Sequence, residues 1–493
     1  MRGRIAAVAF LLPALACAQE PRGRKLANGI ARELKVCNGA VAFLLDAAHP
    51  DDRGVPEDLL LGDLWLGALT GAAKKVGSGV STQPGAFGLS CKTGEVAFLA
   101  SWHFRAGEGE LWVASVGGEP VRLAPTASDF AWSPAGGVLA YVTPGQLGLR
   151  GREPVTIDGL RSIAWSPDGR QIAARAAASA GGALWLVDVA SGAKREVAPG
   201  TSDFAFASDG ELAVLGPPPP KGGDRPLLIG GKQVGRATAL RFSPDARELA
   251  LLSTAKQPGE ATGDLYRLAR AGGEPRLIAP RVSDYHWTTA GDLLCLARYD
   301  LRARSGVLTV SPAGGGEPRE IAPRVQSFTA QGRRVLYLAQ APLKGDFKIE
   351  LWTVDLAGAE APRKIDEGVY GWELSPDGAT LYYKARCAGG PRSCSLLRAT
   401  MNGAAPATLL ATNVAGFDLS EDGAHILLQQ PHRGSARAVD LAVISASGAA
   451  PDKAKPFALE ADASGRFADG QGRRVVYATL TAGKGGVYVA EVP

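Results

Sequence analysis

Apolar residues in this chain fall in short, strand-length runs, and a recurring polar phrase separates them. Gly169-Arg170-Gln171-Ile172-Ala173 and Gly378-Ala379-Thr380-Leu381-Tyr382-Tyr383 pass from polar to apolar within a few positions, as a strand entering a sheet covered on both faces does. The phrase ahead of such runs is a variant of Trp-Ser-Pro-Asp-Gly. It reads Trp132-Ser133-Pro134-Ala135-Gly136, Trp165-Ser166-Pro167-Asp168-Gly169, Phe206-Ala207-Ser208-Asp209-Gly210, Phe242-Ser243-Pro244-Asp245-Ala246, Trp287-Thr288-Thr289-Ala290-Gly291, Leu374-Ser375-Pro376-Asp377-Gly378 and Leu419-Ser420-Glu421-Asp422-Gly423. The aromatic or leucine ends one strand, proline presets φ, and Asp-Gly tolerates the left-handed conformation that closes the turn. A second regular segment predicts a third strand: Gly109-Glu110-Leu111-Trp112-Val113, Gly182-Ala183-Leu184-Trp185-Leu186, Gly263-Asp264-Leu265-Tyr266, Glu350-Leu351-Trp352-Thr353-Val354 and Gly486-Val487-Tyr488-Val489. Segments such as 118–125 and 273–280 then supply a turn and an outer strand, where proline costs no ladder bond that matters.

Four strands repeated about every forty residues predict an all-β fold of propeller blades, each of which needs neighbours on both sides to bury its faces. The turn glycines count the units: Gly39, Gly94, Gly136, Gly169, Gly210, Ala246 in the same slot, Gly291, Gly332, Gly378, Gly423 and Gly472, eleven in all. Rings of four to eight blades are usual, so the expectation is two tandem propellers, about five blades in 19–236 and about six in 237–493. One large ring is the alternative. The third and fifth units are short in their second halves, at residues 147–150 and 225–229, and could be trimmed blades.

Composition agrees with a turn-dense β protein, since 46% of the 493 residues are hydrophobic and there are 63 glycines and 33 prolines. A formal net charge of +5 gives no electrostatic case for nucleic acid or an anionic membrane surface. At the N-terminus, Arg2 and Arg4 precede an apolar stretch from Ile5 to Leu15 that is too short to span a bilayer and ends in small residues. It reads as a signal segment over residues 1–18. Two processing readings stay open: cleavage after Ala18, or lipidation of Cys17, since Ala14-Leu15-Ala16-Cys17 resembles a bacterial lipobox. Membrane attachment is expected only through such a lipid. Six cysteines fit an oxidising compartment. Cys387 and Cys394 flank a hairpin-like loop and are expected to pair, Cys37 and Cys91 are expected to join the first two units, and Cys295 reads as a buried thiol.

Candidate chemistry is sparse. The five histidines, His49, His103, His286, His425 and His432, show no metal-ligand spacing, and no cysteine pair has zinc spacing, so no metal or other cofactor is expected. The polar group of His49, Asp51, Asp52, Glu57 and Asp58 reads as a solvated loop. No Gly-x-Ser-x-Gly elbow appears, and repeats run as far as Tyr488, so a hydrolase domain is not expected and no residue is assigned a catalytic role. Gly77-Ser78-Gly79 and 314–316 lack the helix and Lys-Ser/Thr of a phosphate-cradling loop. Asp168, Asp209, Asp245, Asp377 and Asp422 recur inside turns and read as structural. The positions singled out for binding are Trp102, His103, Phe104 and Arg105 on one loop, the proline stretch 217–221, and His286, which precedes Trp287 on a first strand and could face the channel.

The Trp-Ser-Pro-Asp-Gly turn followed by Ile-Ala or Leu-Tyr, and then Gly-x-Leu-Trp, resembles the WD-repeat-like blade of TolB-type propellers of bacterial envelopes over nearly the whole mature chain. That resemblance implies a periplasmic protein that binds partner proteins, peptidoglycan-associated lipoproteins among them, through the propeller channel. The chain departs from the family in its blade count and in starting its repeats near Gly39 with no preceding α/β domain. The expected function is a non-enzymatic scaffold for a protein or peptide, exported to the periplasm or outer membrane, or secreted. The alternative is a propeller-type polysaccharide lyase or glycan hydrolase with a channel site.

Overall fold

The structure is a computed structural model that describes residues 23–50, 56, 58–177, 182–201, 203–220, 223–253, 262–341, 349–358, 361–388, 390–448, 455–462, 465–480 and 485–492. Cys17, Asp51, Asp52, Glu57 and Lys221 lie outside the described residues. Among those described there is no helix, and the strands form four-stranded antiparallel units in sequence order. Eleven such blades are present, one for each turn glycine or its alanine substitute. The third and fifth also have four strands, although the outer strand of the third is only Val155–Thr156.

The fourth blade shows how the repeat is built, with strands Leu160–Trp165, Gln171–Ala176, Ala183–Asp188 and Lys194–Pro199. In its first turn the Ser166 hydroxyl donates to Asp168 Oδ1 at 2.6 Å and accepts from the Gln171 N–H at 2.9 Å. Asp168 also accepts from the Arg170 N–H at 3.0 Å, and Gly169 takes φ of +70°. The same serine–aspartate pair closes the turns at Ser243/Asp245, Ser375/Asp377 and Ser420/Asp422. Their hydroxyl donors hold all four carboxyls below the ordinary range, so these aspartates are turn fasteners kept ionised. Ala246 fills the glycine slot at φ +59°, a conformation alanine adopts only at a cost. The glycine of Gly-x-Leu-Trp has a different reason. A Cβ on Gly109 would stand 2.7 Å from the Ala100 carbonyl oxygen of the preceding strand.

Each blade packs on the next through apolar side chains. The expected boundary between residues 236 and 237 falls inside this series, because Ala213, Leu215 and Leu227 of the fifth blade share one core with Leu249, Leu251 and Leu268 of the sixth. Corresponding cores lie between the fourth and fifth blades and between the sixth and seventh. Arg319–Gln331 is the outer strand of the seventh blade and the inner strand of the eighth. The apolar packing therefore runs unbroken across residues 236 and 237.

The series closes on itself through a strand that carries no repeat motif. Arg24–Asn28 pairs antiparallel with Gly486–Glu491 and becomes the outer strand of the eleventh blade. Leu26 from this strand joins Leu34, Val41 and Phe43 of the first blade and Val476, Val487 and Val489 of the eleventh in one core. Cys37 and Cys91 are bonded, with Cα atoms 5.0 Å apart, which ties the first blade to the second. Cys387 and Cys394 close a hairpin of the ninth blade. Cys295 is a buried free thiol whose pKa burial pushes up to about 12, which makes it a small core hydrophobe.

Candidate functional site: the channel ring and its seam

First strands of neighbouring blades touch, as Asp129–Trp132 does with Leu160–Trp165 and Asp203–Phe206 with Ala239–Phe242, so these strands lie innermost. Register aligns them. The last residue of each pairs with the start of its second strand, Trp132 with Leu139, Trp165 with Ile172, Trp287 with Leu293, Leu374 with Leu381 and Leu419 with Ile426. One position earlier, at one level of the ring, each first strand places one residue. In the second to fifth blades it is Gly88, Ala131, Ala164 and Ala205. From the sixth blade round to the first it is Arg241, His286, Thr329, Glu373, Asp418, Arg466 and Lys35. Four of the eleven positions at this level are therefore small and uncharged, and the other seven carry all of its charge.

The tryptophan of the turn phrase serves this level. Trp132 Nε1 donates to the Gly88 carbonyl of the preceding blade at 3.0 Å, Trp165 to Ala131 at 3.1 Å and Trp287 to Arg241 at 3.3 Å. Charged members bind the following blade in the same way. Lys35 donates to the Phe87 carbonyl at 2.6 Å and lies over the Phe87 ring, and burial holds its pKa below the ordinary lysine range. Glu373 accepts from the Leu419 N–H, and Asp418 accepts from the Phe467 N–H. Burial, and then the neighbouring Asp418 charge, push the Glu373 carboxyl up to about 7. Asp418 is also raised by burial, against the pull of Arg466.

His286 stands on its inner strand, half-exposed, where the sequence placed it. Arg241 Nη1 lies 2.9 Å from its Nδ1, and its Nε2 lies 3.1 Å from Asp284 Oδ1, so the ring bridges a guanidinium of the preceding blade and a carboxylate of its own. The hydrogen bond from His286 holds Asp284 below the usual carboxylate range. Phe328 of the next blade packs edge-on at 5.6 Å. Trp102, His103, Phe104 and Arg105 are brought together elsewhere, on the hairpin after Val96–His103. Trp102 is half-buried against Leu99, Leu111 and Ala124, and the Arg105 guanidinium lies over Phe104 at 5.5 Å, so this loop is partly a packing element. His49 faces the Pro56 carbonyl at 3.2 Å. Pro217, Pro218 and Pro220 are exposed in the loop before Arg225–Ile229. Among the described residues, no group of three or more His, Cys, Asp or Glu side chains is placed to hold a metal ion.

Sequence reasoning missed the cavity at the seam. The inner strand of the eleventh blade is only Arg466–Phe467, which leaves a cavity of about 910 Å³ between the tenth and first blades. It is lined by Asn38, Phe417, Asp418, Gln429, Arg466 and Phe467 among others, so two aromatic rings, two amides and an opposed acid and base converge there. The available signal was the run of charged residues at one level from the ninth blade round to the first, and only the register of the assembled sheets reveals it.

No family model and no curated protein matches the chain. Among solved structures, the chain is similar to a eukaryotic initiation factor at 14% identity and a TM-score of 0.44, over 79% of this chain and 90% of that one. It is also similar to the tricorn protease, at 13% and 0.30, over 87% of this chain and 48% of that one, so it spans about half of that protein. A third is a TolB protein from Agrobacterium tumefaciens, at 15% and 0.26, over 54% of this chain and 94% of that one. Sheet topology makes the chain a multi-bladed β-propeller.

Proposed function

We propose that this protein is an exported, non-enzymatic propeller that takes a protein or peptide segment at the seam of its channel. The seam cavity carries the reading. At about 910 Å³ it suits several side chains of an extended segment, and its aromatic, amide, acidic and basic lining suits peptide groups. The charged channel residues support a binding role over a catalytic one, because Glu373, Asp418, Lys35 and His286 each hold a neighbouring blade or strand. Two disulfides support export to an oxidising compartment, the periplasm or outer membrane if Cys17 carries lipid, and peptidoglycan-associated proteins are among the partners to be sought. Capture of the tagged mature protein from cross-linked envelopes, beside an Arg466→Ala variant, is the test. A stoichiometric protein that is lost with the variant is expected, and recovery of the same protein by both would refute the seam as its site.

One observation favours a second reading, a glycan lyase or hydrolase. Glu373, pushed up to about 7 beside Asp418, is a half-protonated acid near a carboxylate. Release of oligosaccharide from purified envelope glycans, abolished by Glu373→Gln, would establish it.

A further inference from the structure

Two departures from the repeat fall together in the third blade. In the second and fourth blades the tryptophan of Gly-x-Leu-Trp, Trp112 or Trp185, stands on the third strand opposite Phe98 or Ala174, and an outer-strand cation, Arg122 or Lys194, lies over its ring. The third blade has Gly148 in that slot, opposite Tyr141, and an outer strand of only Val155–Thr156. Gly148 is not at positive φ, and a Cβ there would stand 2.2 Å from the Tyr141 ring, so space and not backbone conformation selects the glycine. Between the Tyr141 ring and the outer strand of the second blade a groove of about 410 Å³ is left.

Three prolines line the groove with Tyr141: Pro125 from the second blade, Pro144 from the hairpin between the second and third strands of the third, and Pro154 just before its outer strand. All three are exposed, Tyr141 is half-buried, and exposed Gln146 supplies amide donors at the edge. A tyrosine set among flat apolar rings, with a donor beside it, suits a polyproline II segment, which packs its rings on such a surface and has carbonyls with no partner of their own. The chain carries such a segment. Pro217-Pro218-Pro219-Pro220 is confined to that conformation by its own rings, spans roughly 12 Å, and presents Pro217, Pro218 and Pro220 to solvent. It follows the second strand of the fifth blade, two blades on, and so lies on the same face as the hairpin that carries Pro144 and Gln146. A groove and its ligand on one face of one molecule are self-complementary, because a two-fold axis across that face seats each proline stretch in the other molecule's groove.

We infer that the groove between the second and third blades takes residues 217–220 of a second copy of this chain, so that two molecules pair face to face through two such contacts. The pairing is independent of the seam. Sedimentation equilibrium of the full mature chain tests it, beside a variant with P217S, P218S and P220S together and, on the groove side, Y141A. A concentration-dependent dimer is expected, weakened at least about tenfold by either variant and dissociated by hexaproline peptide as a competitor. Unchanged melting shows that the proline variant is folded. Because Tyr141 also packs on the core of Leu99 and Leu111, Q146K at the groove edge takes its place if Y141A lowers the melting temperature. A dimer of unchanged affinity in the proline and groove variants overturns the inference. So does a wild-type chain that is monomeric at about 100 μM, including one whose groove binds hexaproline, which would give the groove to a different protein.

Discussion

The second to fifth blades and the stretch from the ninth blade through the eleventh to the first use the same strands for different ends. In the former, the inner level is Gly88, Ala131, Ala164 and Ala205, and two tryptophans bind carbonyls across the gap between blades. In the latter, Glu373, Asp418, Arg466 and Lys35 occupy that level, and one inner strand shrinks to Arg466–Phe467. Faithful repetition serves packing, and departure from the repeat opens a cavity.

The largest expected effect lies beside the seam. Replacing both Cys37 and Cys91 with serine removes a bridge of sequence separation 54, which costs about 4 kcal/mol by loop entropy and is read as lost denaturant stability. The same change at Cys387 and Cys394, separated by 7, costs about 2 kcal/mol. In the regular half, Leu184→Ala opens a hole at a residue 1% exposed and costs about 3 kcal/mol, with no loss of partner capture.

Acidity separates the halves next. Glu373 has its folded pKa raised to about 7, above the ordinary 4.5, so its stabilising protonated form is fully present below about 4.5 and is lost as pH rises through 7. Glu373→Gln should therefore stabilise at pH 8 relative to wild type, by about 1 kcal/mol after discounting for solvent, and bring no gain at pH 4. Chemical denaturation at the two pH values checks the sign. The smallest effect is Trp165→Phe, which deletes the bond to the Ala131 carbonyl and costs about 1 kcal/mol in the same assay.

Much of the regular half was legible in the sequence, because its chemistry is local. A serine, an aspartate and a glycine within five residues build a turn whatever lies around it, and even Ala246 was recognisable by its slot. Two things were not legible. Arg24–Asn28 has no motif, since an outer strand needs only a ladder partner, and that partner lies at the far end of the chain. Nor was the core that joins Leu227 to the sixth blade across residue 236 legible, because that contact is tertiary. His286 was recognisable by its place before Trp287, but Glu373, Asp418 and Arg466 acquire meaning only when register sets them at one level.

The central claim is that the seam, and not the ring at large, holds the partner. Placing a photo-cross-linking amino acid at Phe467, and in a second protein at Phe206 in the equivalent place of the fifth blade, tests it in living envelopes. A discrete protein adduct from position 467 and none from 206 is the predicted result. Equal adducts from both positions, or none from 467, would contradict it.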